Sequence, residues 1–120
     1  MTASWSPTAR EKDALQRHAQ VQKLLRVDAV WPWLADRHGA IAALDAPHAA
    51  HPERFNFGEL AERIATAAAA FRRNGVNEGD VVALFAENSP RWLVADQGLM
   101  RAGAADAVRG ASAPVEELRY

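Results

Sequence analysis

The stretch from Val81 to Tyr120 constrains the fold more than any other part of the chain. Val81-Val82-Ala83-Leu84-Phe85-Ala86 is an apolar run with the length and β-branched start of a buried strand. Glu87-Asn88-Ser89-Pro90 follows, which places Ser89 as an N-cap and Pro90 at the first helical position. The pattern predicts a helix to about Ala102, a break at Gly103 and a second strand over Ala104 to Val108. Strand, helix and strand in succession imply two parallel neighbours joined by a right-handed crossover. The chain is therefore read as α/β, with helices around a partial, mainly parallel sheet.

Upstream, the clearest helix is read over residues 59 to 74. Leu60, Ile64, Ala67, Ala68 and Phe71 recur at three- and four-residue spacing and mark its buried face. Glu59 and Glu62 lie near its positive end, Arg72 and Arg73 near its negative end, as the helix dipole favours. Gly75 supplies a left-handed stop, and Asn77-Glu78-Gly79-Asp80 turns the chain into the strand at Val81. Short strands are expected at Ile41 to Leu44 and Phe55 to Phe57, joined as a loose hairpin by the proline-bounded loop Asp45 to Pro52. Trp31-Pro32-Trp33-Leu34 opens a short helix ended by Gly39. Residues 10 to 27 favour another helix, with Ala14, Leu15, Val21, Leu24 and Leu25 as an imperfect apolar stripe. Residues 1 to about 9 read as a frayed start. Pro114 to Tyr120 begins a further helix without a finish, so the chain reads as the opening of a longer one.

Composition excludes several function classes. A length of 120 residues suits one small domain, not a multidomain enzyme. A formal net charge of −1 provides no field that favours nucleic acid or an anionic membrane. The chain has no cysteine, so disulfides, zinc–thiolate sites and thiol nucleophiles are excluded. No apolar run approaches the length of a membrane span. The first residues lack the apolar core of a secretion signal, and Glu11 and Asp13 argue against an organelle transit peptide. A cytoplasmic location is expected.

With Phe55-Asn56-Phe57-Gly58-Glu59-Leu60 and Gly75-Val76-Asn77-Glu78-Gly79-Asp80, the Val81–Tyr120 block resembles the N-terminal region of the AMP-forming acyl-activating enzymes. The run from Ala83 to Gly98, ALFAENSPRWLVADQG, looks most like the cyanobacterial and plastid branch, the long-chain fatty-acid–CoA ligases and acyl-acyl carrier protein synthetases. The resemblance covers residues 29 to 120 and divides the chain into a helical extension, 1–28, and an incomplete N-terminal portion of a synthetase domain, 29–120. It implies the N-terminal part of the large domain of the adenylate-forming fold. It also implies ATP and Mg2+ as cofactors of the parent enzyme, a fatty acid as substrate, and a coenzyme A or phosphopantetheine thiol as acceptor, with acyl carrier protein as a partner.

Family members cradle ATP phosphates on a loop resembling Ser/Thr-Gly-Thr-Thr-Gly-x-Pro-Lys-Gly, because backbone N–H groups and a lysine offset the charge of departing pyrophosphate. Nothing in the chain matches that loop; Arg101-Ala102-Gly103-Ala104-Ala105 has neither its spacing nor its lysine. No catalytic, cofactor-binding or metal-binding residue is carried over, and the segment alone is expected to be inactive and to bind no cofactor.

Other residues invite chemistry and are better explained by structure. His48 and His51 sit in a loop without a carboxylate or thiolate cluster, so no metal is assigned. Asp96 lies one helical turn after Trp92 without a second carboxylate or histidine at helical spacing, and is read as structural, pairing with an arginine or a neighbouring loop. Arg91 and Arg101 are read as surface arginines rather than contacts to coenzyme A or a carrier protein. Asn88 suits a turn, and Ser89 a cap. Trp31 and Trp33 suggest a docking face, against which simple core packing is the stronger reading. Phe71 and Trp92 are expected to be core residues.

The resulting expectation is a scaffold segment of a ligase that converts a fatty acid and ATP to acyl-adenylate and passes the acyl group to a thiol. An adenylating ligase for another carboxylic acid, and a stand-alone interaction module using the Trp31/Trp33 face, are the alternatives.

Overall fold

The computed structural model describes residues 5–119. It is α/β, with four α-helices and two separate pairs of strands among those residues. The parallel unit is formed as its sequence demands. Strand β3 (Val81–Phe85) pairs with β4 (Ala105–Arg109) in parallel, in register from Val81 opposite Ala105 to Phe85 opposite Arg109. Helix α4 (Pro90–Ala102) connects them. Ser89 caps it in extended conformation, its Oγ accepting from the Trp92 N–H at 3.1 Å, and Pro90 takes the first turn, where a missing N–H costs nothing. Gly103 ends it at φ 89°, a left-handed conformation that disfavours any side chain. Its N–H groups and those of Ala104 close back onto Met100 and Leu99.

Helix α3 (Phe57–Arg73) lies against α4 and forms the other half of the core. It starts two residues earlier than periodicity suggested, because Asn56 and Glu59 make a reciprocal capping box. The Asn56 Oδ1 accepts from the Glu59 N–H at 2.7 Å, and the Glu59 Oε2 accepts from the Asn56 N–H at 2.9 Å. Phe57, expected in a strand, is therefore helical. Leu60, Ile64 and Ala68 are buried on this helix, whereas Ala67 and Phe71 are only half-buried.

A second, antiparallel pair joins β1 (Ala42–Ala46) to β2 (Glu53–Asn56), with an irregularity in register between Ala42 and Leu44. The strands extend further toward the loop than expected, and Ile41 falls outside them. The Phe57 and Gly58 N–H groups donate to Ile41 and Gly39 carbonyls, each at 3.0 Å, tying the start of α3 to the end of α2 (Val30–His38). The core around Phe55, Leu60 and Ile64 is completed by Trp31, Ala43, Leu44, Leu93 and Val94.

Both ends of the chain depart from the sequence reading. Helix α1 (Ala9–Val21) has a full capping box between Thr8 and Glu11 but stops six residues short of Val27 and buries none of its residues. An apolar stripe with nothing to cover leaves only intrinsic propensity, which is marginal over so few turns. Leu25 is fully exposed, and Val27 instead opens a 3-10 turn, Val27–Ala29. Near the other end, Val115–Leu118 is a single 3-10 turn rather than the opening of an α-helix, and Tyr120 lies outside the described residues. Of the start expected to fray, residues 1–4 also lie outside them.

Candidate functional site

The most polar part of the interior lies where α2, α4 and β4 meet. Asp96 and Gln97, each 9% exposed, are the buried polar residues of the described chain. Trp31, the second residue of α2, donates its indole Nε1–H to the Gln97 Oε1 at 2.6 Å. The indole nitrogen can only donate, so it fixes which end of the Gln97 amide faces it. The Gln97 Nε2 then donates to the Asp96 Oδ2 at 2.6 Å. Beyond Asp96 stands Asp106 of β4, within hydrogen-bonding reach of it. The Asp106 Oδ2 is buried and has no hydrogen-bond partner among the described residues, and neither does the Trp92 Nε1 nearby in sequence on α4.

Burial, which disfavours a carboxylate's charge, is the first cause that raises the Asp96 carboxyl above its ordinary value. The hydrogen bond with Asp106 adds to it, the Gln97 amide opposes it, and the Asp106 charge adds a last contribution in the raising direction. Among the described residues, no histidine and no cation bears on Asp96. The cluster therefore offers hydrogen bonding and a titrating proton, with no activated nucleophile.

The structure separates other residues that sequence placed together. Trp31 and Trp33 do not share a docking face: two residues apart on a helix, they point to opposite sides. Trp31 packs on the core, while Trp33 lies under the Arg37 guanidinium, 4.5 Å from the ring centre, with His38 edge-on at 6.5 Å. Asp96 pairs with no arginine; its neighbours are an amide and a second acid. That acid was invisible to a search at helical spacing because it sits on the following strand, not on the helix. The signal that finds it is the alternation of the last strand, which puts Asp106 on the same side as Ala104 and Val108.

Ser89 is a cap, as expected. Asn88 is exposed, and His48 and His51 occupy exposed positions of the hairpin loop. Among the described residues no group of three or more His, Asp or Glu is placed to hold a metal ion. Arg91 is exposed at the rim of a small apolar cleft between α3 and α4, floored by Ala67, Phe71 and Val94. The Arg101 carbonyl accepts from the Arg72 Nη2 at 2.9 Å, a link between α3 and α4.

The N-termini of α1, α3 and α4 are closed by their own Thr8, Asn56 and Ser89 side chains. Both lysines, Lys12 and Lys23, lie in or just after α1, far along the chain from the parallel strands.

The fold built around this centre is a known one. The family model for AMP-binding enzymes matches residues 31–120. The chain belongs to the AMP-binding enzyme family. Among its relatives is a chloroplastic long-chain-fatty-acid–acyl-carrier-protein ligase of Arabidopsis thaliana, 40% identical over 92 residues, covering 77% of this chain and 13% of the relative. A 2-succinylbenzoate–CoA ligase of Salmonella typhimurium is 41% identical over 75 residues, covering 62% of this chain and 16% of the relative. The N-terminal subdomain of Klebsiella oxytoca NpsA superposes with a TM-score of 0.69 at 25% identity, over 79% of this chain and 24% of that one. The chain thus spans well under a fifth of the length of these curated relatives. No helix among its described residues is long and apolar enough to cross a membrane.

Proposed function

We propose that this chain is the scaffold segment of a ligase that activates a long-chain fatty acid with ATP. The parent enzyme forms acyl-adenylate and pyrophosphate, then passes the acyl group to a thiol of coenzyme A or of acyl carrier protein, releasing AMP. Adenylation converts a poor electrophile into a good one before the thiol attacks. The observation that carries this reading is the 40% identity over 92 residues to the plant fatty-acid ligase. ATP, Mg2+ and the thiol are bound by the parent enzyme outside this segment, and the reaction is assigned to the cytoplasm. The part played by residues 5–119 is to hold α3 and α4 against the parallel pair, so that the remainder of the domain is seated on a fixed frame.

A second reading rests on a different relative. The similarity to a 2-succinylbenzoate–CoA ligase favours an aromatic or other carboxylic acid in place of the fatty acid. Acid-dependent exchange of labelled pyrophosphate into ATP by the intact protein distinguishes the two. Exchange with palmitate and not with 2-succinylbenzoate is expected; the reverse preference selects the second reading, and exchange with neither acid refutes both. The scaffold assignment is tested separately by the purified 120-residue chain, for which any exchange would be fatal.

A further inference from the structure

The hydrogen-bond inventory of the buried centre leaves one proton to be placed. Gln97 is oriented by both ends: its oxygen accepts from Trp31 and its amide nitrogen donates to Asp96, both at 2.6 Å. Asp96 and Asp106 then face each other, and ionised carboxylates can only accept. The Asp106 Oδ2 is buried and finds no donor among the described residues. Two acceptors held together out of water are costly, whereas one proton between them turns the repulsion into a short charge-assisted bond. We propose that Asp96 and Asp106 share a single proton in the folded protein, so that an acid–carboxylate bond ties α4 to β4 and is released as pH rises.

No cation competes for this role. Beside the 3-10 turn, Arg26 and Asp28 pair with each other at 2.8 Å. On α3, Arg63 lies over the Phe55 ring and Arg72 bonds the Arg101 carbonyl. Glu59 closes the cap of α3, and Arg37 on α2 lies over Trp33. On β4, Arg109 pairs with Glu117 at 3.1 Å, and β3 carries no charged residue. Arg73 and Glu62 of α3 and Arg91 of α4 are exposed. Among the described residues, the charge that bears on Asp96 is that of Asp106.

The sign follows from linkage. Burial and the Asp106 bond raise the Asp96 carboxyl in the folded state above its value in the unfolded chain. Between those two values the folded protein holds the extra proton, so stability falls as pH rises across that window. The bond's contribution is complete below the window and lost above it.

The test is a pH titration of the protonated-carboxyl C=O band of the intact protein by infrared difference spectroscopy, with Asp96→Asn and Asp106→Asn alongside. In the native protein, one such band is expected to persist above the ordinary carboxylate range. It should be missing there in both variants, because an amide at either position donates without needing the proton. Asp96→Asn should also remove the fall in denaturant midpoint with rising pH that the native protein shows relative to it. Disappearance of the native band within the ordinary carboxylate range, as for two ionised acids bridged by water, overturns the proposal. So does persistence of the band in Asp106→Asn, which would place the proton on Asp96 by burial alone. If Asp106→Asn fails to fold, the same titration of Asp106→Ala makes the comparison, and persistence of its band likewise overturns the proposal.

Discussion

At the scale of single residues, one indole hydrogen bond orders the polar interior. Because Trp31 fixes the Gln97 amide, it also fixes the donor presented to Asp96. Trp31→Phe keeps the packing area but leaves the Gln97 oxygen buried without its donor, which costs about 1–3 kcal/mol. Urea denaturation of the intact protein measures this, and an unchanged midpoint would show that the amide simply flips. The opposite lesson comes from Phe71 and Trp92. Both read as core residues from their spacing, yet both are half-buried, and Phe71 lines an open cleft. The largest side chains sealed from solvent are Leu60, Ile64 and Leu99. Leu60→Ala or Ile64→Ala is expected to cost about 2–5 kcal/mol through the cavity it leaves. Phe71→Ala, in a cleft already open, should cost measurably less in the same melts.

At the scale of elements, the contact between α3 and α4 depends on a missing side chain. A Cβ placed on Gly98 would lie 2.8 Å from the Ala67 Cβ and 3.4 Å from the Ala68 backbone nitrogen. Neither neighbour can swing aside as the tip of a flexible side chain could. Alanine would improve helix propensity by about 1 kcal/mol, but forced separation of two packed helices costs about 1–3 kcal/mol. Gly98→Ala is therefore expected to destabilise, by thermal melt, even though propensity alone forecasts the reverse. The alanine run of residues 67–70 serves the same closeness from the other side. Capping explains the element boundaries where periodicity did not. The Asn56–Glu59 box starts α3 inside what alternation alone assigned to a strand, because reciprocal side-chain bonds satisfy two otherwise orphaned N–H groups.

At the scale of the whole molecule, the chain is long rather than round. Its radius of gyration is 18.3 Å, against about 14 Å for a compact chain of this length, and its longest extent is 61 Å. Helix α1 accounts for the excess, since it buries nothing. Its first turn is self-contained: hydrogen bonds from Thr8 hold the Glu11 carboxyl below its usual value. Removal of residues 1–21 from the intact protein is expected to leave its melting temperature unchanged, and a marked drop would mean that α1 is seated elsewhere. The parallel pair is also uncovered in part, with Val81 71% and Val108 40% exposed. Parallel strands are ordinarily buried on both faces, so Val81 and Val108 are unusually open for such a pair.

What the sequence determined is what depends on neighbours along the chain. Ser89-Pro90 and Gly103 set the limits of α4, Leu60, Ile64 and Ala68 set the buried face of α3, and the β3–α4–β4 succession set the parallel pairing, because caps, turns and periodicity are local. Family membership was legible for the same reason, in the run from Ala83 to Gly98. Only the tertiary structure decided which tryptophan is core, where the apolar stripe of residues 10–27 ends for want of a partner, and that Asp96 faces Asp106. Asp106 stands ten positions after Asp96, and no periodic spacing relates a helix position to a strand position. Their meeting is set by how α4 packs on β4.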